Sequence, residues 1–426
     1  MTGLGRQGRF DWLLLGSVCL LGGLGVYNLS SAAKAFEGNM AMLQAIYLGV
    51  GVVIALTLSV IDYRLFERLA YPLFVASLLS LLAVLAVGRV VSGSRRWIHL
   101  GFFNFQPSEM MKIGIILVLA KYFSDEQDLL VGGYRLRDLI KPRTPLYAIG
   151  ALGGLILFWE KDALAALGMW RFVLLGLSMI WAVASSLFVV RSGRTSLHDL
   201  LSPVILVLLP VMLIIRQPDL GTSLALTAIA GTMILFMKVR LSSLLIASVV
   251  FIAVSIGAWY LLLEDYQKDR IEAFVAPGAD IKGTGYHARQ SIIAVGSGMM
   301  HGKGYRESTQ TQFQFLPEQH TDFVFSVWAE EQGFMGCLLV LALFLFFLVQ
   351  ITNVASAAKN RFGMLVGVGM AGFVFWHMFI NIGMVIGVLP VVGITLPLWS
   401  YGGSSILSVM AGVGLLLSIS MRRHVN

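Results

Sequence analysis

Long apolar runs alternate with short polar connections along nearly the whole chain. A helix needs about 20 mostly apolar residues to cross the hydrocarbon core of a bilayer. The pattern therefore predicts an all-α polytopic membrane protein. The run near 146–160 is short for a full span, which leaves two alternatives: twelve spans, or ten or eleven with a re-entrant or interfacial segment. The runs lie near 11–30, 42–61, 69–88, 107–122, 146–160, 170–190, 201–216, 220–238, 241–263, 322–349, 362–388 and 400–420.

Basic residues in the short connections predict the orientation of the spans, because Lys and Arg favour the cytoplasmic side. With twelve spans these basic connections fall on one face, and both termini then lie in the cytoplasm. The polar loop at 264–321 and the connection at 88–97 then face the outside. The residues on the cytoplasmic face are Arg6, Arg9, Arg64, Arg68, Lys121, Arg135, Arg137, Lys141, Arg143, Arg191, Arg194, Lys238, Arg240, Lys359, Arg361, Arg422 and Arg423.

The composition agrees with a membrane protein and argues against other classes. Hydrophobic residues make up 57% of the 426 and charged residues 13%, with a mean hydropathy of +0.82. Soluble domains carry about 25% charged residues. The net charge of +8 does not indicate nucleic-acid binding, because no basic patch interleaved with aromatic residues occurs. Cys19 and Cys337 both lie in apolar runs, which argues against a disulfide or metal framework.

The two outer segments carry more positive charge than the orientation rule allows for that side. An anionic ligand on the outer face would account for these cations. The alternative is that they pair with the acidic residues of the same loop. The outer basic residues are Arg89, Arg95, Arg96, Lys268, Arg270, Lys282, Arg289, Lys303 and Arg306.

Asp322 lies where the long outer loop meets the apolar run at 322–349. A carboxylate at the mouth of a membrane helix is costly to keep, which indicates a function. Asp322 could act as a general base or as a ligand of a divalent cation. The alternative is that it only caps the helix that follows. Glu330 and Glu331 follow about two turns further along the same predicted helix.

The segment Arg95, Arg96 and Trp97 lies at another outer helix end. Arg binds phosphate through two donors, and Trp favours the membrane interface. The segment therefore suits a phosphate-bearing lipid. A simple aromatic anchor at the interface is the alternative.

Two further acidic residues near helix ends have a structural interpretation beside a functional one. Glu109 and Lys112 are three residues apart and can share a helix face, which fits a buried structural pair at least as well as a catalytic one. Asp219 lies between two spans. It either caps the helix that begins near Leu220 or presents a second acidic group to an outer cavity.

The backbone should be irregular at two places. The glycines within 296–304 indicate a flexible stretch, and their spacing does not fit a phosphate-binding P-loop. The segment Tyr401–Ser405, which follows Pro397, indicates a broken or re-entrant start to the last span. Such a break is tolerated in a membrane only beside a cavity or packed protein.

Taken together, these segments resemble the SEDS family, the proteins of shape, elongation, division and sporulation. The resemblance covers essentially the whole chain. It rests on Gly93-Ser94-Arg95-Arg96-Trp97, Gln106–Glu109, Gln217–Thr222, Gly285–Tyr286 with Gln290–Ser291, Gly302–Gly304, Leu316–Glu318, His320–Phe323, Ala329–Glu331 and Ser400–Ser404.

The resemblance implies peptidoglycan glycosyltransfer. Such a protein joins lipid II to a glycan held on undecaprenyl pyrophosphate, by β-1,4 linkage, outside the bacterial cytoplasmic membrane. It implies a class B penicillin-binding protein as partner, with other elongation-complex proteins as further candidates. Thr309–Gln310 and Leu389–Gly393 are closer to the elongation member of the family than to the division member, which stays open as an alternative.

The resemblance also implies roles for single residues. The family's essential aspartate matches Asp322, the expected general base. No cofactor is certain, and a divalent cation such as Mg or Mn would have Asp322 as its candidate ligand. The candidate substrate-binding or supporting residues are Trp97, Arg95, Arg96, Glu109, Lys112, Asp219, Arg270, Gln290, Ser291, Lys303, Glu318, His320, Glu331 and Ser404.

The resemblance implies a single integral membrane domain over 1–426 with ten core spans. This chain departs from that pattern at about 123–200, where two extra apolar segments lengthen a cytoplasmic connection. The outer loop at 264–321 is unaffected.

Two other classes of function stay open. A lipid flippase or transporter also combines many spans, intramembrane acids and broken helices. It should, however, place its acids along a path at the membrane midplane, whereas here they gather at outer helix ends. A scaffold whose outer loop binds a penicillin-binding protein is the third interpretation.

Overall fold

A computed structural model describes residues 10–33, 39–91, 94–99, 104–131, 197–237, 268, 274, 284–313, 315–316 and 318–423. The predicted spans near 146–160, 170–190 and 241–263 lie outside the described residues, as does the candidate residue Arg270. Arg95 is described in its backbone only.

Helices dominate the described residues, and a small antiparallel sheet accompanies them. The helices are α1 Trp12–Ala32, α2 Met40–Val60, α3 Tyr63–Val87, α4 Pro107–Val131, α5 Leu197–Arg216, α6 Leu220–Phe236, α7 Thr284–Ser297, α8 Thr309–Gln312, α9 Val324–Ser356, α10 Arg361–Val385 and α11 Gly403–Met421. The strands are β1 Arg89–Val91, β2 Ser94–His99 and β3 Asn104–Phe105.

Every predicted span that falls within the described residues is a helix. Six helices, α1, α2, α3, α9, α10 and α11, are long and apolar enough to cross a membrane. Two shorter apolar helices, Pro203–Arg216 and α6, accompany them. The prediction of a polytopic, mainly helical membrane protein is therefore confirmed.

The chain forms two compact units. The first unit comprises Met1–Asp62, Ser248–Lys359 and Met370–Asn426. The second comprises Tyr63–Ala247 and Asn360–Gly369.

In the first unit, small residues let α2 and α11 pack closely. The buried residues of α2 are few and lie on one face of the helix, whereas most of its other residues are apolar and at least partly exposed. A Cβ added to Gly414 of α11 would lie 2.9 Å from the Cα of Ala55 in α2, so the two backbones approach because Gly414 has no side chain. Helix pairs in membranes favour such small residues, since lipid supplies no hydrophobic driving force between helices.

In the second unit, the connection between α3 and α4 contains the three-stranded sheet, in the order β1-β2-β3. The sequence analysis predicted only helices, so the sheet is an addition to that prediction. Ile98 pairs with Phe105, and His99 Nδ1 lies 2.7 Å from Asn104 Oδ1. Strand β2, which carries Arg96 and Trp97, also contacts α3 and α4.

Helix α9 is interrupted at Gly333, whose φ of 65° and ψ of −165° lie outside the helical region. The residues 299–304, which follow α7, lie against this break. We call the contact between residues 298–304 and 329–335 the interlock. Four main-chain bonds cross it: the amides of Lys303 and Gly304 donate to the carbonyls of Glu330 and Glu331, at 3.0 Å each, and those of Phe334 and Met335 donate to the carbonyls of Met299 and Met300, at 2.8 and 3.1 Å.

Glycines make the interlock possible. A Cβ added at Gly298 would lie 2.0 Å from the carbonyl oxygen of Ala329. A Cβ added at Gly302 would lie 2.1 Å from the carbonyl oxygen of Glu331. The predicted flexible glycine stretch is therefore a packed segment, and two of its glycines, Gly298 and Gly302, are needed for close approach of two backbones.

Candidate active site

Residues 318–323, which we call the Asp322 turn, precede α9 and are held by their own backbone. The carbonyl oxygen of Glu318 accepts hydrogen bonds from the amides of Thr321, Asp322 and Phe323, at 3.1, 3.1 and 3.3 Å. Glu318 adopts a left-handed conformation with a φ of 51°, which is uncommon for a residue with a side chain. The turn is therefore tightly wound before the helix begins.

Three successive carbonyls of the Asp322 turn are bound by donors from the last third of the chain. The amide of Tyr401 donates to the carbonyl of His320 at 2.9 Å. Ser400 Oγ donates to the carbonyl of Thr321 at 2.5 Å, and Asn381 Nδ2 donates to that of Asp322 at 2.9 Å. The backbone on both sides of Asp322 is thus fixed from outside the turn.

Buried side-chain amides tie the surroundings of the turn to α1 and α2. Gln319 Nε2 donates to the carbonyl of Ala32 at 2.9 Å, and Asn28 Nδ2 donates to that of Val324 at 2.8 Å. Gln44 of α2 donates to the carbonyl of Ser400 at 2.9 Å and accepts from the amide of Gly402 at 3.3 Å. The broken segment before α11 is therefore packed against protein, as its sequence predicts.

The Asp322 side chain is partly exposed, whereas the carboxylates further along α9 are buried. Asp322 is not the N-cap residue of α9, because Phe323 occupies that position. The alternative that Asp322 serves only as the helix cap is therefore weakened. The role of Asp322 in chemistry stays a prediction.

The two ionisable neighbours of Asp322 in the turn lie close to each other. His320 Nε2 lies 3.9 Å from the carboxylate of Glu318, which is exposed. Burial lowers the pKa of His320 from its ordinary value, although the negative charge of Glu318 acts in the opposite direction. His320 is therefore neutral at neutral pH. Ser404, another candidate, is buried at the start of α11.

Glu330 binds the predicted cation Lys303. The carboxylate is fully buried in α9, and its Oε1 lies 2.6 Å from Lys303 Nζ. The same oxygen accepts from the amide and hydroxyl of Thr309, at 2.9 and 3.0 Å. Lys303 also donates to the Thr309 hydroxyl at 2.9 Å. Lys303 thus neutralises a buried acid of α9 rather than an acid of its own loop, and this pairing argues against binding of an external anion.

Glu331 lies beside it with a separate set of donors. Its Oε1 accepts from Ser31 Oγ of α1 and from the amide of Arg306 at 3.1 Å. Both acids of α9 therefore hold the segment 303–310 onto the helix. This arrangement supports a structural role for Glu331.

Ser291 and Gln290 lie on α7. Ser291 is fully buried, lies 2.8 Å from the hydroxyl of Ser326 and donates to the carbonyl of Val385 at 2.7 Å. It thereby joins α7 to the start of α9 and the end of α10. Gln290 is partly exposed.

In the second unit, Asp219 caps α6, since its Oδ1 accepts from the amide of Thr222 at 3.1 Å. Arg96 Nη1 lies 3.7 Å from the same carboxylate oxygen. Arg96 also donates to the carbonyls of Gln217 and Pro218, the first at 3.2 Å. The capping alternative for Asp219 is confirmed, and Arg96 is engaged with the connection between α5 and α6.

Glu109 and Lys112 form a buried ion pair on α4, with Lys112 Nζ 2.7 Å from Glu109 Oε1. Both side chains are almost fully buried. The spacing of three residues predicted this shared face. Trp97 is partly exposed on β2, beside Arg96.

The sequence analysis missed three residues that hold the Asp322 turn. Asn381, Gln319 and Ser400 are almost fully buried and donate to main-chain carbonyls. A lone polar residue within an apolar run, such as Asn381, is the signal that could have identified it.

A divalent cation at Asp322 would need ligands beyond the His, Cys, Asp and Glu side chains of the described residues. Among the described residues no three His, Cys, Asp or Glu side chains gather closely enough to hold a metal ion. Mg²⁺ commonly binds through one or two carboxylates, several waters and substrate phosphates. A single carboxylate facing a pyrophosphate fits that requirement.

Comparison with known proteins gives concordant matches over nearly the full length. The family model for the cell cycle proteins FtsW, RodA and SpoVE matches residues 9–191 and 172–425. Peptidoglycan glycosyltransferase MrdB of Escherichia coli strain K12 is 34% identical over 379 residues, which cover 89% of this chain and 85% of that protein.

Two solved structures resemble the chain over 98% of its length. One, described as structural coordination of polymerization and crosslinking by a peptidoglycan synthase complex, gives a TM-score of 0.70 at 29% identity and is covered over 99%. The rod shape determining protein RodA of Thermus thermophilus gives a TM-score of 0.61 at 28% identity and is also covered over 99%.

Proposed function

We propose that this chain, which belongs to the FtsW, RodA and SpoVE family of cell cycle proteins, polymerises lipid II into β-1,4 glycan strands during cell elongation. Its relative MrdB is named a peptidoglycan glycosyltransferase, and the chain covers 85% of that protein at 34% identity. The chain is a peptidoglycan glycosyltransferase of the RodA type. Lipid II as its substrate is part of the proposal.

One structural observation supports the choice of Asp322 as the reactive carboxylate. Its side chain is partly exposed while its backbone amide and carbonyl are both hydrogen-bonded, to Glu318 and Asn381 respectively. A general base needs this combination, because it must reach the substrate from a fixed position. The other carboxylates of α9 are buried and engaged by several donors.

In the proposed reaction, the Asp322 carboxylate accepts the proton from the acceptor sugar hydroxyl of lipid II. The hydroxyl oxygen forms a bond to the anomeric carbon of the donor chain. The bond from that carbon to the pyrophosphate oxygen breaks, and undecaprenyl pyrophosphate leaves with the electron pair. An α-linked donor that gives a β-linked product requires inversion, hence one displacement and one base. General-base catalysis contributes about 10²–10⁴-fold in such a step.

The leaving pyrophosphate needs positive charge in the transition state. Lys303 is bound to Glu330, and Arg96 is bound to Asp219 and neighbouring carbonyls, so neither is an isolated cation. Arg95 and Arg270 stay candidates. A Mg or Mn ion held by Asp322 would supply the same neutralisation when bound.

The proposal places both termini in the cytoplasm and the Asp322 turn on the outer face of the cytoplasmic membrane, following the charge of the connections. A class B penicillin-binding protein is the proposed partner. The relative whose structure concerns a peptidoglycan synthase complex that coordinates polymerization and crosslinking supports such an assembly. Other elongation-complex proteins are further candidates.

The flippase and division alternatives are less well supported. The relative MrdB is named a glycosyltransferase rather than a transporter. The segments Thr309–Gln310 and Leu389–Gly393 favour the elongation member over the division member of the family.

The test is a polymerisation assay with the purified full-length protein, labelled lipid II and detergent, with and without a class B penicillin-binding protein and with Mg²⁺, Mn²⁺ or a chelator. We expect glycan polymer, and D322N should reduce its rate at least about 100-fold. The matched control is D11N, because Asp11 also lies at a helix N-terminus, where it caps α1, and Asn caps equally well. Absence of polymer under every condition would refute the enzymatic proposal, and full activity of D322N would refute the assignment of the base.

Trp97 gives a second, independent variant. If its exposed ring contacts the lipid substrate, W97A should lower the polymerisation rate and leave the elution profile and melting temperature in detergent unchanged. An unaltered rate and product length would exclude that role.

A further inference from the structure

Asn381 is a fully buried amide near the end of α10, in the first unit. Both of its hydrogen bonds go to main-chain carbonyls: Nδ2 lies 2.9 Å from the carbonyl oxygen of Asp322 and 2.7 Å from that of Ile394. Its Oδ1 is buried without a hydrogen-bond partner among the described residues. Asn381 therefore acts solely as a double donor.

This arrangement fixes the orientation of the amide. A reversed amide would place Oδ1 against two carbonyl oxygens, and neither could donate a hydrogen bond. The Asn381 side chain therefore joins α10, the segment before α11 and the Asp322 turn in a single geometry. No hydrophobic residue of similar size could make these two bonds.

The hydrogen bonds to the amide and carbonyl of Asp322 constrain its backbone. The amide of Asp322 is held by the Glu318 carbonyl at 3.1 Å, and its carbonyl is held by Asn381. With the peptide groups on both sides fixed, the direction of the bond from Cα to Cβ is fixed as well. The position of the carboxylate then depends on the side-chain torsions of Asp322.

We propose that Asn381 is a positioning residue for Asp322, which it serves by holding the Asp322 carbonyl and thereby aiming the carboxylate. This rests on the proposed function, in which Asp322 is the general base. Asn381 contacts neither substrate nor reacting atoms and acts only through Asp322. A displacement of a catalytic group by about 1 Å can reduce the rate about 100-fold, which is the scale of effect to look for.

The chain contains a matched control for a purely structural role. Asn28 of α1 is also fully buried, and its Nδ2 donates to the carbonyl of Val324 at 2.8 Å. Its Oδ1 is likewise buried without a hydrogen-bond partner among the described residues. The two asparagines thus share their chemistry and burial, but Asn28 binds the first residue of α9 whereas Asn381 binds Asp322 itself.

The experiment compares N381L and N28L in the full-length protein, alongside wild type and D322N. Initial rates of polymerisation against lipid II concentration give kcat and KM, and heating in detergent gives the melting temperature. N381L should lower kcat about 10- to 100-fold with KM within about twofold. N28L removes one buried hydrogen bond where N381L removes two, so it should also lower the melting temperature, while kcat stays within about threefold of wild type.

Each departure from this pattern has a defined meaning. Equal kcat losses in N381L and N28L would show that the Asn381 bond is only structural, and would overturn the inference. If D322N is inactive and N381L is normal, only this inference fails. If D322N is fully active, the proposed role of Asp322 fails and the inference fails with it.

Discussion

Replacing Gly333 by alanine would test the interlock directly. Gly333 has a φ of 65°, which residues with a side chain rarely adopt. An added Cβ would lie 2.3 Å from the amide nitrogen of Gly302 and 2.8 Å from the carbonyl oxygen of Gly298. Both are backbone atoms, so neither can move without displacing the segment 298–304.

The expected loss of stability can be worked out from these contacts. A strained backbone conformation costs about 1–3 kcal/mol. Four main-chain bonds cross the interlock, and each contributes about 0.5–1.5 kcal/mol. Strain together with the loss of half of the bonds amounts to about 4 kcal/mol, a large part of the usual 5–15 kcal/mol of a folded domain.

The measurement is the fraction of monodisperse protein that remains in detergent after heating. The midpoint temperature of G333A should fall by about 5 °C, since about 4 kcal/mol is lost from a chain of 426 residues. The control is G296A on α7, where an added Cβ meets nothing within 4 Å. Alanine favours helix over glycine by about 1 kcal/mol, so this control should be neutral or slightly stabilising. Equal midpoints for G333A and G296A would refute the description of the interlock as a stabilising contact.

Three further predictions concern charged and titratable groups. K303M should destabilise by about 3 kcal/mol because it leaves the buried Glu330 without its cation, and E330Q in the same chain should recover most of the loss in melting temperature. E109Q or K112M alone should lower the melting temperature more than the double variant E109M/K112M, because the double variant leaves no unpaired buried charge. A double variant with a lower melting temperature than both single variants would contradict this. Burial lowers the pKa of His320 below its ordinary 6.5, so the unfolded chain binds a proton that the folded chain does not. The free energy of unfolding of wild type, relative to that of H320Q, should therefore fall as pH is lowered from about 7 to 5. A difference between the two proteins that stays constant over this range would refute the prediction.

The helices were predictable because apolar runs of membrane length have few alternatives. The run at 322–349 predicted α9, and Asp219 before a run predicted a cap. The break at Gly333 was not predictable, since a glycine within an apolar run is common in membrane helices. Its partner segment lies some thirty residues earlier, and only the fold brings the two together.

In the candidate site, too, contacts between residues close in sequence were predictable and contacts between distant residues were not. Glu109 and Lys112 were predicted as a pair because their spacing is local. The anchoring of Asp322 by Asn381 depends on a bond between residues 59 apart, which no local pattern encodes. For Lys303 the sequence left open an external anion or an acid of the same loop, and its pairing with Glu330 of α9 depends on the interlock.

The break at Gly333 also bears on the depth of the site in the membrane. Helix α9 has 33 residues, which would measure about 50 Å if continuous, whereas the hydrocarbon core is about 30 Å thick. The part after the break, residues 334–356, measures about 34 Å and is sufficient to span that core alone. In the proposed orientation, the part before the break and the Asp322 turn would lie at the level of the polar head groups, where the sugar and pyrophosphate of the proposed lipid-linked substrate would also lie.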